Sequence, residues 1–336
     1  MYSRRPALLV ATLASCMALV LAACGGGSDA PAVSAKKAAE PGRAPATATT
    51  PAGRTFDVGA LPQGIVYDAR STLLAVAVRD PFRLLLLDPT TLAVRKSVPM
   101  PGKIRHLQLA RPGGPVLVPS ESANQIIEVS LPSGDTRATD VEKQPHDAAG
   151  AANGDLVVGN EFSGSISVVR DGTVIRTFDD LLQPGGVVTD GNVAAVIDVK
   201  DYTVTTYDVD AMRRTGRVAA GKGPTHGVLT RDGRLAVTDT RGGEVLLYDL
   251  DPLRQVAALP LAGRPYGITS DPATDTVWVT LITKNELVGI DVSGETPKVI
   301  ATYATVRQAD TVAVDPGSKT LWVTGTKDGT VQRITR

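Results

Sequence analysis

Three histidines stand at equivalent places in a sequence pattern that recurs along the chain, namely His106, His146 and His226. Carboxylates and one amide occupy further positions that we expect on the same side of the fold, namely Glu121, Asn160, Glu161, Asp198 and Asp239. Zinc is bound by imidazole nitrogen with carboxylate oxygen, whereas a harder cation such as calcium prefers oxygen ligands. We therefore take all eight as candidate ligand-binding residues and the three histidines as candidate metal ligands.

A second interpretation of these residues is structural. Polar side chains at the ends of strands commonly satisfy the free backbone groups of neighbouring loops, and an Asp that closes a strand usually fixes a turn. The sequence leaves both interpretations open, and it does not say whether the three histidines converge.

The elements that carry these residues are seven repeats. Their signature is a proline, a variable residue, a glycine and an aliphatic residue, as in Pro62-Gln63-Gly64-Ile65 and Pro265-Tyr266-Gly267-Ile268. Its last position recurs at residues 65, 107, 148, 187, 228, 268 and 312, a spacing of 39 to 44 residues. A period near 40 fits a four-stranded propeller blade. The sequence therefore predicts an all-β, seven-bladed β-propeller over residues 54–336.

The first and last repeats are expected to share one blade. The seventh repeat ends at Arg336, after its third strand, whereas an extra strand pattern stands at residues 54–58, before the first signature. Pairing this N-terminal strand with the last blade would close the ring and leave no open strand edges.

The N-terminus is predicted to be an export signal. Arg4 and Arg5 precede an apolar stretch over residues 7–23, which ends in Leu21-Ala22-Ala23-Cys24. Small residues before a cysteine, followed by glycines, resemble the lipobox of bacterial lipoproteins. The resemblance implies that residues 1–23 are removed and that Cys24 carries a lipid. The other cysteine of the chain, Cys16, would leave with the signal, so we expect no disulfide.

Residues 24–53 are expected to form the lipidated end and a flexible tether. They consist mostly of Gly, Ala, Pro, Ser and Thr and lack large apolar side chains, so they bury too little surface to offset the entropy of ordering. Gly25 follows the cysteine, and the lipoprotein resemblance then implies the outer membrane, facing the periplasm; a cell surface is the alternative.

The repeats themselves resemble the YVTN repeats of YncE-like bacterial propellers, on motifs such as Val277-Trp278-Val279-Thr280 and Gly289-Ile290-Asp291. This resemblance spans residues 54–336. It implies the fold but not the function, because propellers of this kind host binding modules and enzymes alike.

Composition and missing motifs narrow the function. Lys plus Arg and Asp plus Glu both number 35, and only 4% of residues are aromatic, which speaks against a nucleic-acid partner. The sequence contains no Gly-x-Ser-x-Gly elbow and no His-Glu-x-x-His motif. We therefore expect a monomeric, non-enzymatic binding or scaffold module for a small ligand, a divalent metal (zinc or calcium) or a protein partner. The alternatives are a periplasmic zinc chaperone and a channel-metal hydrolase or lyase of the senescence-marker lactonase or streptogramin lyase type.

Overall fold

Short runs of β-branched and apolar residues, separated by turns rich in Asp, Gly and Pro, form the strands of this protein. A computed structural model describes residues 36–336. The predicted signal and Cys24 lie outside the described residues. Within residues 36–336 no helix is long and apolar enough to cross a membrane.

Twenty-eight strands form seven antiparallel four-stranded sheets, which confirms the seven-bladed propeller. The innermost strands of blades 1 to 7 are β2 (Ile65–Asp68), β6 (Gln108–Leu109), β10 (Pro145–Gly150), β14 (Pro184–Asp190), β18 (Pro224–Leu229), β22 (Pro265–Asp271) and β26 (Ala309–Asp315). The second strands are β3 (Leu73–Arg79), β7 (Val116–Ser120), β11 (Leu156–Asn160), β15 (Val193–Asp198), β19 (Leu235–Asp239), β23 (Thr276–Leu281) and β27 (Thr320–Gly325).

The outer half of each blade follows the same order. The third strands are β4 (Phe82–Leu87), β8 (Gln125–Val129), β12 (Ser165–Arg170), β16 (Thr203–Asp208), β20 (Glu244–Leu250), β24 (Glu286–Asp291) and β28 (Thr330–Thr335). The outermost strands are β5 (Val94–Pro99), β9 (Thr136–Asp140), β13 (Thr173–Phe178), β17 (Arg213–Ala219), β21 (Leu253–Pro260), β25 (Lys298–Ala304) and, in blade 7, β1 (Arg54–Asp57). A 3-10 helix, Glu121–Ala123, follows β7.

The last blade is completed by the N-terminal strand. β1 pairs antiparallel with β28, with Arg54 opposite Arg333 and Asp57 opposite Thr330. The strand ends one residue earlier than the span 54–58 expected from the sequence, and the Val58 N–H donates to the Gly329 carbonyl at 3.0 Å.

Apolar faces pack blade against blade. Trp322 of blade 7 is buried with Leu74 and Val76 of blade 1, and its indole N–H donates to the Pro89 carbonyl at 3.1 Å. Trp278 fills the corresponding place between blades 6 and 7. The tryptophans therefore hold neighbouring blades together.

The signature glycines let the inner strands approach closely. A Cβ at Gly64 would lie 2.5 Å from the Arg105 carbonyl oxygen, and one at Gly267 would lie 2.3 Å from that of Asp310. No real Cβ tolerates such contacts with backbone, so the glycine of the signature is required by the narrow centre of the ring.

The two ends of the ring differ. We call the upper face the side on which the innermost strands begin and the second strands end, and the lower face the opposite side. Residues 36–53, which we call the strap, run along the upper face from blade 4 to blade 7. We expected these residues to belong to a flexible tether, but they bury Ala39 and Ala44 and hydrogen-bond to the loops beneath. Composition underestimates this order, because the strap is held mainly through its backbone groups.

Candidate functional site

The three histidines meet in the central channel. His146 lies in β10, His226 lies in β18, and His106 lies two residues before the short strand β6. The ring centroid of His106 is 4.7 Å from that of His146 and 4.3 Å from that of His226. Blade 5 thus faces blades 2 and 3 across the channel, which brings the rings together despite their separation in sequence.

Backbone contacts fix which ring nitrogens carry protons. Nδ1 of His146 lies 2.7 Å from the Gly185 carbonyl, and Nδ1 of His226 lies 3.2 Å from the Tyr266 carbonyl. Since a carbonyl only accepts, both rings donate through Nδ1, and their Nε2 atoms are acceptors. Nε2 of His226 accepts from Nε2 of His106 at 3.0 Å. Nε2 of His146 lies 3.4 Å from Nη1 of Arg105, which donates to it.

The histidines are uncharged at neutral pH. Burial lowers the pKa of His226 to about 4. Burial, with the positive charge of Arg105 acting in the same direction, also holds the pKa values of His106 and His146 well below their usual range. The centre of the channel is therefore a neutral hydrogen-bonding surface at pH 7.

Charged groups lie on the upper side of the histidines. Nε of Arg105 lies 3.1 Å from Oε1 of Glu121, and Nε2 of His146 lies 4.0 Å from Oε2 of Glu161. The ligand atoms of Glu121, His146 and Glu161 lie within 4.8 Å of one another, so these three could hold a metal. However, the Arg105 guanidinium already supplies a positive charge to this group and takes the acceptor nitrogen of His146. A metal would have to displace it.

A cavity of about 580 Å³ extends from the histidines towards the lower face. Its walls are mainly apolar side chains of the innermost strands, including Ile65, Val188, Val228, Ile268 and Val312. The inner end of the cavity, nearest the upper face, is polar, and we call it the cavity floor. It is lined by His106, His226, Gln108 and Asp147. The volume lies in the range of small-molecule sites, which are typically apolar with a few polar groups.

Asp147 is the acidic group of the floor. Its carboxylate accepts hydrogen bonds from Gln108 Nε2 at 2.9 Å, from the Ala148 N–H at 2.9 Å and from the Val187 N–H at 3.0 Å. Burial nevertheless raises the pKa of Asp147 to about 7. The floor therefore carries at most a partial negative charge at neutral pH.

Other predicted residues hold loops. Asp198 accepts from the backbone N–H groups of Leu182 at 2.6 Å and Asp201 at 2.8 Å. Asp239 accepts from those of Lys222 at 2.7 Å and Gly242 at 2.9 Å. Asn160 is buried within blade 3 and donates to Ser167 Oγ at 2.9 Å. The carboxylates of these two aspartates thus act as loop caps, which is the structural interpretation weighed above.

Arg105 and Gln108 are site residues that were not singled out from the sequence. Arg105 precedes His106 directly, but nothing in the sequence says that its long side chain reaches into the channel. Gln108 and Asp147 face each other across blades 2 and 3. Asp310 lies at the upper end of the channel, where it accepts from Gln63 Nε2 at 3.2 Å, and burial raises its pKa to about 6.

Comparisons with known proteins show the fold. No family model matches the chain, and no curated protein matches it. Among solved structures, a streptogramin B lyase superposes with a TM-score of 0.73 at 14% identity, over 83% of this chain and 96% of the other. Virginiamycin B lyase from Staphylococcus aureus gives 0.71 at 15% identity, over 84% and 99%. Hydrazine synthase from Kuenenia stuttgartiensis gives 0.72 at 15% identity, over 84% and 97%. At this identity the likeness establishes the propeller and nothing finer.

The site can therefore do two things chemically. Its apolar cavity can accept a small molecule, and its polar floor can exchange hydrogen bonds with that molecule. On the upper side of the histidines, the guanidinium of Arg105 forms an ion pair with Glu121.

Proposed function

We propose that this protein is an exported, lipid-anchored propeller that binds a small, largely apolar ligand in its central channel. The observation that carries the proposal is the cavity of about 580 Å³ with apolar walls and an uncharged histidine floor. The lipobox-like sequence around Cys24 supports the anchor, and the YVTN-like repeats support a periplasmic or cell-surface location. We propose a monomer that needs no metal for this binding.

The chemistry of the cavity sets the ligand class. Burying apolar ligand surface against the walls supplies the main favourable free energy, about 25 cal/mol per Å². A charged group would lose its hydration at a floor that offers no full opposite charge, which is costly. We therefore expect an uncharged ligand with an apolar body and one hydrogen-bonding end that meets His106 or Gln108, because both ring nitrogens of His226 are already engaged.

A neutral apolar fluorophore tests the proposal. We would titrate N-phenyl-1-naphthylamine into the mature chain, residues 24–336 with Cys24→Ser to omit the lipid. Val228 lies in the cavity wall, and Val228→Trp should narrow the cavity and weaken binding about tenfold, which corresponds to about 1.4 kcal/mol. Ile300→Trp on the exposed outer strand β25 is the matched control and should leave the affinity unchanged. Equal affinities for both variants would refute the channel as the site.

Zinc handling is the first alternative. It draws support from the Nδ1–H groups of His146 and His226, because metal-binding histidines usually donate their other nitrogen to a backbone carbonyl. Against it, both Nε2 atoms already accept hydrogen bonds within the protein. Elemental analysis of protein purified without chelator decides the point. Stoichiometric zinc that is lost in His146→Ala would favour the chaperone.

A lyase activity is the second alternative. It draws support from the structural likeness to streptogramin B lyase and from an unprotonated histidine, His226, at the end of an open channel. One of the similar structures is a catalytically inactive virginiamycin B lyase with quinupristin. Incubating this protein with quinupristin and following the intact molecule by mass spectrometry tests the idea. Consumption that stops in His226→Gln would favour the lyase.

A further inference from the structure

We propose that the upper face of the ring lies against the membrane that holds Cys24, so that the cavity opens on the far side, into the aqueous compartment. The proposal rests on the lipid anchor of the proposed function and adds to it an orientation and a lipid-facing surface. It depends on where the strap is fixed, how much chain precedes it and where apolar side chains are exposed.

The strap is fixed to the upper face at its first residues. The Lys37 carbonyl accepts from the Tyr202 hydroxyl at 2.7 Å and from Arg241 Nη2 at 2.9 Å. The same Arg241 nitrogen donates to the Ala38 carbonyl at 2.9 Å, and Ala39 is buried. Tyr202 and Arg241 belong to the loops between the second and third strands of blades 4 and 5. These contacts fix the point at which the chain leaves the ring.

The strap stays on this face along its length. Gln308 Nε2 donates to the Gly42 carbonyl at 2.9 Å, and the Ala44 N–H donates to Gln308 Oε1 at 3.0 Å. A Cβ at Gly42 would lie 2.7 Å from Arg264 Cδ and 2.8 Å from Thr283 Cγ2, so a larger residue there would require these side chains to move. The strap is thus seated on the upper loops of blades 6 and 7 as well.

Little chain separates this point from the anchor. Cys24 precedes Lys36 by twelve residues, which span at most about 42 Å when fully extended. To put the lower face on the membrane, those residues would have to pass around the outer strands of a blade. That path is about 20 Å along a strand and about 10 Å across the outer strands. It uses most of the available length, and such extension is entropically unfavourable.

Exposed apolar side chains mark the same face. Phe162 is 61% exposed in the loop between β11 and β12, and Leu61 is 46% exposed in the loop that leads to β2. Phe82, at the upper end of β4, is 37% exposed. The other large exposed apolar side chains of residues 36–336 lie on outer strands at the rim, namely Val94, Ile175, Val299 and Ile300. Aromatic and aliphatic side chains at such positions bind a bilayer interface by burying their apolar surface.

In this orientation, the face that meets the membrane and the face on which the cavity opens are opposite each other. The upper face carries the strap and the charged groups around Arg105, whereas the cavity is lined by residues of the lower turns, such as Arg70, Pro272 and Pro316. With the upper face on the membrane, a ligand reaches the cavity from the aqueous side.

Tryptophan quenching tests the orientation. The chain of residues 24–336 is coupled through Cys24 to maleimide-headgroup lipid in phosphatidylcholine vesicles, so attachment does not depend on natural lipidation. Phe162→Trp reports on the upper face, and Arg231→Trp, in a turn of the lower face, is the matched control. Trp278 and Trp322 are buried in both variants and give the same background.

Lipids brominated near the headgroup end of the acyl chain quench only tryptophan that reaches the bilayer. We expect a loss of fluorescence for Phe162→Trp and none for Arg231→Trp. Quenching at residue 231, equal quenching at both positions, or no quenching at residue 162 would each overturn the orientation. The mass of Cys24 in protein from its native host tests lipidation separately, so failure of the anchor and failure of the orientation are distinguishable.

Discussion

Replacing His226 by glutamine should remove an acid-sensitive part of the stability of the propeller. His226 is 8% exposed, and its ring has a pKa of about 4 in the folded protein against 6.5 for the free side chain. The folded state therefore binds this proton less readily than the unfolded state. The stability that results is fully present above pH 6.5 and is lost as the pH falls towards 4.

The magnitude follows from the shift. A difference of about 2.5 pKa units corresponds to about 3 kcal/mol at 1.36 kcal/mol per unit. Asp147 and Asp310 act in the opposite direction, because their pKa values are raised, to about 7 and about 6. Their protonation therefore stabilises the folded protein as the pH falls over the same range. The pH profile of the unmodified protein is thus a sum of opposing effects. The difference between it and His226→Gln reports the titration of His226, together with the change that its loss causes in the neighbouring His106 and His146.

Guanidinium-induced unfolding at pH 7 and pH 4 measures this difference. At pH 7 the variant should be less stable, because the hydrogen bonds to Tyr266 and His106 are lost. On acidification to pH 4 it should gain about 3 kcal/mol relative to the unmodified protein. Thr302→Gln on the exposed face of β25 should show no such change. A stability difference for His226→Gln that is equal at both pH values would refute the reasoning.

Three further changes test packing, the floor and the strap. Trp322→Ala removes the contact between blades 7 and 1 and should lower the free energy of unfolding by about 3–5 kcal/mol, whereas Ile300→Ala at the rim should cost little; equal losses would contradict the packing role. Asp147→Ala leaves three donors without their acceptor and should cost about 1–3 kcal/mol for each, seen as a lower melting temperature. An unchanged melting temperature would mean that these hydrogen bonds contribute nothing. Tyr202→Phe combined with Arg241→Ala should speed proteolysis within residues 36–53 while the ring stays resistant. Unchanged cleavage would show that these contacts do not hold the strap.

The blades could be predicted from the sequence because each is a local unit. The signature, the Asp-rich turns and the apolar strands recur within about 40 residues, and the closely packed ring centre explains the glycine of the signature. The tryptophans could be placed between blades for the same reason, since a large apolar side chain on a buried strand has few other places to go.

The channel could be predicted only in part. The register of the repeats places His106, His146 and His226 on one face, but their convergence depends on the diameter of the ring and on blade 5 lying opposite blades 2 and 3. The same register applies to Asp198 and Asp239, whose carboxylates turn to loop N–H groups instead. Register along the chain does not determine the direction of a side chain.

The strap was missed because composition describes what a segment can bury and not what its backbone can bind. Residues 36–53 offer few large side chains, yet their carbonyl and N–H groups meet Tyr202, Arg241 and Gln308. These partners lie more than 150 positions away in the sequence. No local pattern reports such a contact.

A crystal structure of the propeller soaked with N-phenyl-1-naphthylamine would show whether the channel is the binding site. We expect the probe in the channel, with its rings against Val228 and Val312 and its amine near His106. Probe bound on the rim or on the upper face, with an empty channel, would contradict the claim that the channel is the binding site.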